Sequence, residues 1–232
     1  MKTFPGVRCA WFILLMVVLQ MSAAAAATDT AKEQMMVAED NNAFAVELYD
    51  ELRVAQGNLF FSPFSVSTAL AMTYAGARGE TAGQMRTALC LTVADDALHG
   101  AFGGLIQSLN ERGRSGAYQL NVANALWAQS GYRIVPHYLE LTGANYGAGV
   151  KDVDFSKDPE AARETINLWV EQRTMDKIKE LLAQGTVTDQ TRLVLTNAIY
   201  FKGEWEHEFL EELTETAPFT LISGDDVEAY LM

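Results

Sequence analysis

The chain has 232 residues, with 17 Lys and Arg against 30 Asp and Glu and a formal net charge of −13. Such an acidic surface repels phosphate backbones and anionic headgroups, which argues against nucleic acid or anionic lipid as a partner. Of the two cysteines, Cys9 lies in an N-terminal leader, so Cys90 is left alone, no intramolecular disulfide can form, and stability must come from core packing.

The leader spans Met1 to Ala27. Lys2 and Arg8 supply a basic start, residues 10–21 are apolar apart from Gln20, and residues 22–27 end in Ala-x-Ala. This is the layout of a secretory signal peptide, and cleavage after Ala27 is expected. The rival is an uncleaved anchor helix, because the apolar stretch approaches the roughly 20 residues that span a bilayer; the small-residue cleavage site argues against it. Residues 28–232 are then expected as one secreted, extracellular domain with no membrane association after cleavage.

Helical spacing begins at Val37, Phe44, Leu48 and Leu52, with Glu47, Asp50 and Glu51 left for solvent. A short strand is expected at Leu59-Phe60-Phe61. It runs into a helix start with Ser62 as N-cap, Pro63 at the first helical position and Ser65 in the first turn. Residues 66–77 are almost wholly small or apolar, which predicts a buried helix. Thr81 and Gln84 have capping-box spacing for a helix over Ala82–Leu89, and Cys90 closes its apolar end as a small buried hydrophobe. Residues 94–110 are amphipathic, with Leu98, Phe102, Leu105, Ile106 and Leu109 on one side. A strand from Tyr118 to Ala128 sets Leu120, Val122, Asn124 and Leu126 against Ala123, Ala125 and Trp127. After Pro136 come a short helix, a strand near 150–155, and a helix opened by Asp158-Pro159 that carries Ile166, Trp169, Val170 and Arg173.

The run from Leu193 to Trp205 carries the most information. Leu193, Leu195, Asn197, Ile199 and Phe201 alternate with Val194, Thr196, Ala198 and Tyr200, the pattern of a strand buried on both faces. Asn197 is an amide among large apolar neighbours, and an unpaired buried amide costs about 1–3 kcal/mol. It therefore predicts a polar cluster beneath a sheet. With no repeat, low-complexity tract or linker after residue 27, the chain reads as one mixed unit of class α+β.

This run, ending in Phe201-Lys202-Gly203-x-Trp205, resembles the central strand of the serpins, the serine-protease inhibitors and their non-inhibitory relatives. Asn42-x-Phe44-Ala45-x-x-Leu48-Tyr49 is similar to the first helix of that family, and Asn58 to Ser65 to its buried strand and following helix start. Gly76-Ala77-x-Gly79-x-Thr81, Asn124-Ala125-Leu126-Trp127 and Ile166-Asn167-x-Trp169-Val170 match its next link, the second strand of its main sheet and the helix crossing that sheet. Asp176 stands where the family often has glycine, and aspartate tolerates a left-handed backbone better than most residues.

The resemblance implies a multi-helix domain around a large mixed β-sheet, incomplete at the C-terminus. In serpins a long exposed loop is cleaved by the target protease and inserts into the main sheet; that loop lies far downstream of the Phe-Lys-Gly-x-Trp turn. Residue by residue, Ser62, Ser65 and Asn197 fall on the shutter, the polar cluster controlling strand separation, and Trp205 on the breach, where the loop first enters. Ser62 and Ser65 can equally cap a helix, and Trp205 can equally fill core. The implied function is serine-type endopeptidase inhibition, with a serine or alternatively a cysteine protease as partner and no enzyme activity. The alternatives are a non-inhibitory carrier, storage protein or chaperone, and an inactive truncated product.

Other chemistries are weak. His207 and Glu211 share an i, i+4 spacing, but with no second histidine or cysteine nearby no metal is expected. Cys90 and His99 lack an orienting third group. No Gly-x-Ser-x-Gly, Walker or dinucleotide fingerprint occurs, so no cofactor is implied. Residues 94–110 contain no Lys or Arg, which argues against a heparin-type polyanion there.

Overall fold

The computed structural model describes residues 6–55, 57–115 and 118–232, with backbone only for 6–28 and 114–115. The expected leader falls partly on residues 1–5, outside the described residues, and partly on the backbone-only start of the first helix. Among the described residues no helix is long and apolar enough to cross a membrane.

Among the described residues the α-helices are α1 (Gly6–Leu52), α2 (Pro63–Tyr74), α3 (Gly79–Ala88), α4 (Asp95–Ser115), α5 (Pro136–Tyr146) and α6 (Pro159–Arg173). Strands β1 (Tyr118–Gln129), β2 (Gly149–Val153) and β3 (Leu193–Gly203) form one sheet in the order β2-β1-β3, and β4 (Glu215–Thr220) and β5 (Asp226–Leu231) form a hairpin. The fold is α+β, as the periodicities indicate. β1 and β3 pair antiparallel along their length, from Tyr118 opposite Gly203 to Ala128 opposite Leu193. β2 adds in parallel, but only to Ala125–Gln129.

The alternation of β1 sends its two faces into two cores. Val122 joins Leu98, Phe102 and Ile106 of α4, Met72 of α2 and Val37 of α1, while Ala125 and Trp127 join Phe155 and the α6 residues Ala162 and Ile166. From β3, Leu195 and Ile199 face the first core and Val194 the second.

Local signals are realised where polar side chains close helix ends. Ser62 Oγ accepts from the Ser65 amide (3.3 Å), with Pro63 opening α2, and the Asp158 carboxylate accepts from the Ala161 amide (2.9 Å), with Pro159 opening α6. The segment after α6 is tied back to that helix. Asn167 Nδ2 donates to the Leu182 carbonyl (2.9 Å), the Leu182 amide donates to Asn167 Oδ1 (2.8 Å), and Arg163 donates to the same carbonyl (2.7 Å).

Four expectations are corrected. Leu59–Phe61 is not a strand, because no partner strand lies beside it among the described residues, and Phe60 is 100% exposed. β3 is not buried on both faces: among the described residues it is an edge strand, and only Thr196 and Ala198 of it are fully buried. α3 starts at Gly79 rather than Ala82, with Arg78 at the N-cap position and no side-chain cap, so the Thr81–Gln84 box lies within the helix; Gln84 Nε2 donates instead to Glu80 (3.2 Å). Cys90 is only partly buried and takes a left-handed conformation (φ 54°) just past α3. There the Leu91 amide donates to the Arg86 carbonyl and the Cys90 amide to the Thr87 carbonyl (both 3.0 Å), a Schellman turn with cysteine where glycine is usual.

α6 ends in a similar turn. Met175 (φ 51°) and Asp176 (φ 59°) are both left-handed, and the Asp176 amide donates to the Glu171 carbonyl (2.9 Å). Met175 is exposed and sits at the position where a Cβ is disfavoured by about 1–2 kcal/mol. Met175→Gly is therefore expected to stabilise the protein by about 0.5–1 kcal/mol after the greater entropy of glycine in the unfolded chain is counted. Thermal melting checks it; an unchanged or lower Tm contradicts the strain.

Candidate functional site

The two cross-strand asparagines meet. Asn124 of β1 stands opposite Asn197 of β3, both on the face toward α2, α4 and α5, and Asn197 Nδ2 donates to Asn124 Oδ1 (2.6 Å). The Asn197 amide oxygen accepts from the Ser65 hydroxyl in the first turn of α2. Asn124 is buried and spends its own Nδ2 on the Tyr146 carbonyl at the end of α5 (2.9 Å). A continuous polar chain thus runs from the N-cap Ser62 through Ser65, Asn197 and Asn124 to Tyr146, linking α2, β3, β1 and α5. Fully paired, it avoids the desolvation cost of stranded amides and fixes how the strand pair sits on the helices.

Ser62, Ser65 and Asn197 are therefore brought together. Trp205 is not: it lies beyond β3, 73% exposed, edge to face with Phe209 (centroids 5.9 Å apart). His207 and Glu211 share no helical turn, because Glu211 only opens a three-residue 3-10 helix. Asn124 is the member that sequence reasoning missed as a site residue. Its signal was present, an amide on the apolar face of an alternating strand like Asn197, but its partner is set by register.

The opposite face of the pair carries its own link. Trp127 Nε1 donates to Thr196 Oγ1 (3.0 Å), and the threonine hydroxyl donates to the Ala125 carbonyl (3.3 Å). Beyond the cluster, Tyr146 shares a hydrogen bond through its hydroxyl with His99 Nδ1 (2.7 Å). Burial pushes the His99 pKa down, with Asp95 opposing the shift, and burial drives the Tyr146 phenol up, so the pair stays uncharged at neutral pH. The Ser65 proton goes to an amide oxygen and not to a base. The arrangement can hold strands and helices together; it is not built for bond-making.

Asn197→Ala tests the chain of bonds directly. It removes the acceptor of Ser65 and the donor to Asn124, and the buried Asn124 oxygen cannot recover a partner from solvent. A loss of about 1–2 kcal/mol is expected in denaturant unfolding; a loss within error of zero means that the cluster carries no stability.

The family model for serpins, described as "Serpin (serine protease inhibitor)", matches residues 39–232. The chain belongs to the serpin family. It is 46% identical over 183 residues to the leukocyte elastase inhibitor of Bos taurus, covering 78% of this chain and 48% of that protein. With the Sus scrofa leukocyte elastase inhibitor it shares 43% over 194 residues, 83% of this chain and 50% of the relative. Among solved structures, ovalbumin from emu (Dromaius novaehollandiae) superposes with a TM-score of 0.77 at 29% identity, covering 84% of this chain and 54% of the ovalbumin chain. The serpin sequence described here thus spans about half the length of these relatives.

Proposed function

We propose that this chain is the N-terminal part of a secreted serpin that inhibits a serine protease. The observation that carries the reading is the 46% identity to a leukocyte elastase inhibitor over 78% of the chain. In this reading Ser62, Ser65 and Asn197, extended by Asn124, act as the shutter, and Trp205 stands at the breach. The geometry supports the assignment in a specific way. Asn124 and Asn197 are joined across β1 and β3, so the strand pair can shift as one ribbon, whereas the Ser65–Asn197 and Asn124–Tyr146 bonds anchor that ribbon to α2 and α5 and must break when it does. The cluster would then resist premature opening of the sheet. Secretion rests on the leader: residues 1–27 are cleaved and the mature protein starts at Thr28, which mass spectrometry of exported protein checks directly.

The deciding experiment fuses residues 28–232 to the C-terminal half of the bovine leukocyte elastase inhibitor and incubates the chimera with elastase. An SDS-stable complex supports the inhibitory reading. A folded chimera that is cleaved without trapping the protease overturns it and favours a non-inhibitory carrier, storage or chaperone role. Residues 28–232 by themselves, lacking the reactive loop that serpins carry further along the chain, are expected to form no such complex.

A further inference from the structure

The first turns of α4 pack between α2 and α5 and set a histidine on a buried phenol. His99, one turn into α4, is half-buried, and its Nδ1 lies 2.7 Å from the Tyr146 hydroxyl. Its ring meets that of Tyr146 edge to face (centroids 5.8 Å apart) and that of Tyr74 from α2 at a tilt (6.2 Å). Tyr146 is 2% exposed and, among the described residues, its hydroxyl has no other hydrogen-bond partner. α5 ends at this residue, with Gly147 left-handed behind it (φ 62°), and the Tyr146 carbonyl is the acceptor that holds Asn124. One residue therefore fastens the end of α5 to α4 through its side chain and to β1 through its backbone.

His99 also lines a cavity of about 410 Å³ bordered by α2, α3, α4 and α5, which gives the ring room to swing away from Tyr146 towards water. The charges around it come from all four helices. Asp95 of α4 draws a protonated ring outward, although it already accepts from the Tyr74 hydroxyl of α2 (2.7 Å) and from Arg86 of α3 (2.6 Å). Arg78, just before α3, and His137 of α5 line the same cavity, and Arg78 is turned onto the carbonyls of Ala75 and Ala77 (3.0 and 2.6 Å). Tyr138 of α5, near Tyr146, is held uncharged by burial as Tyr146 is. In its place against Tyr146 the imidazole thus meets a phenol and two aromatic rings, and no carboxylate lies within ion-pair distance of it among the described residues. Burial holds His99 below its ordinary value of 6.5, with Asp95 opposing. Folding therefore favours the neutral ring: that contribution is complete above the ordinary value and is lost as the pH falls through the lower folded one.

We propose that His99 and Tyr146 form an acid-sensitive latch on the end of α5: uptake of a proton turns the His99 ring out into the cavity, frees the Tyr146 hydroxyl, and loosens the hold of α5 on Asn124. A buried hydroxyl stripped of its partner is costly, so the last turn of α5 opens to bring it water. The latch needs no inhibitory role for the protein. Hydrogen exchange of the full chain, read by mass spectrometry, tests it, because slow exchange at the His99 ring carbon reports its titration while amide exchange reports the end of α5. Between about pH 7.5 and about pH 5, the amides of residues 142–148 are expected to lose about tenfold of their protection, corrected for intrinsic exchange, over the range in which His99 titrates. His99→Gln, which keeps a hydrogen-bonding group without a titratable charge, should flatten that response. Tyr146→Phe should leave the segment equally open at both ends of the range; with the coincidence of the two wild-type titrations it decides the matter even if His99→Gln does not fold. The latch is overturned if protection of residues 142–148 stays constant while His99 titrates, if His99 takes up no proton above about pH 5, or if either variant keeps the full pH response.

Discussion

Gly113→Ala is expected to destabilise the protein by about 2–3 kcal/mol, while Gly100→Ala in the same helix stabilises it by about 0.5–1 kcal/mol. Both glycines lie inside α4 (Asp95–Ser115), where alanine is the better helix former. A Cβ on Gly100 meets nothing within 4 Å. A Cβ on Gly113 would lie 2.6 Å from both the amide nitrogen and the carbonyl oxygen of Leu120, backbone atoms of β1 that cannot swing aside. To accept it, the end of α4 must move off the sheet edge, which strains the hydrogen bonds of Asn110 to the Val122 backbone a turn earlier and loosens Ile106 from the core. The Tm is expected to fall by roughly 5–10 °C for Gly113→Ala and to rise by a few degrees for Gly100→Ala. If the two variants melt alike, the close approach of helix and strand does not exist.

The second large effect concerns association. Residues 28–232, expressed alone, are expected to self-associate. Among the described residues β3 has no partner on its outer side, so an 11-residue edge from Leu193 to Gly203 offers unpaired amides and carbonyls, with Leu193 (43%) and Phe201 (67%) exposed. Long apolar edges of this kind template pairing with another chain. The β4–β5 hairpin adds exposed Phe219, Ile222 and Tyr230 nearby in sequence. Size-exclusion chromatography with light scattering should show oligomers that give way to monomer when Leu193→Lys and Phe201→Lys put charge on the edge, and likewise when the C-terminal half of a relative is supplied. A monodisperse, cooperatively unfolding monomer of the unaltered fragment would refute the exposed-edge argument.

Much of the fold was legible because its signals are local. Ser62-Pro63 and Asp158-Pro159 open α2 and α6 for reasons confined to the first turn, and the alternation in β1 and β3 sorts their side chains between two cores. What failed depends on neighbours outside the pattern. Leu59-Phe60-Phe61 has strand-forming residues but no ladder to join. The Thr81–Gln84 pair has capping-box spacing, yet α3 starts earlier, from Arg78, and takes both residues into its body. The full apolar alternation of β3 reads as two buried faces, whereas the strand lies at an edge. The site was half visible: Asn197 announced a polar cluster by its misfit among apolar neighbours, but Asn124 could be paired with it only once the register of β1 on β3 was known.

That register has a further consequence. On one face of the β1–β3 pair Asn197 is bonded to Asn124, and on the other Trp127 is bonded to Thr196 and Thr196 to Ala125, so side chains staple the ribbon from both sides within a few residues of each other. Amide protons in this stretch cannot exchange by fraying one face alone, because either staple holds the ladder in place while the other opens. In hydrogen exchange, the amides within residues 122–127 and 194–199 that bond β1 to β3 should therefore behave as a single late-opening unit, protected to the same free energy. β2, joined to β1 over only five residues and exposed along most of its length, should release its protons first.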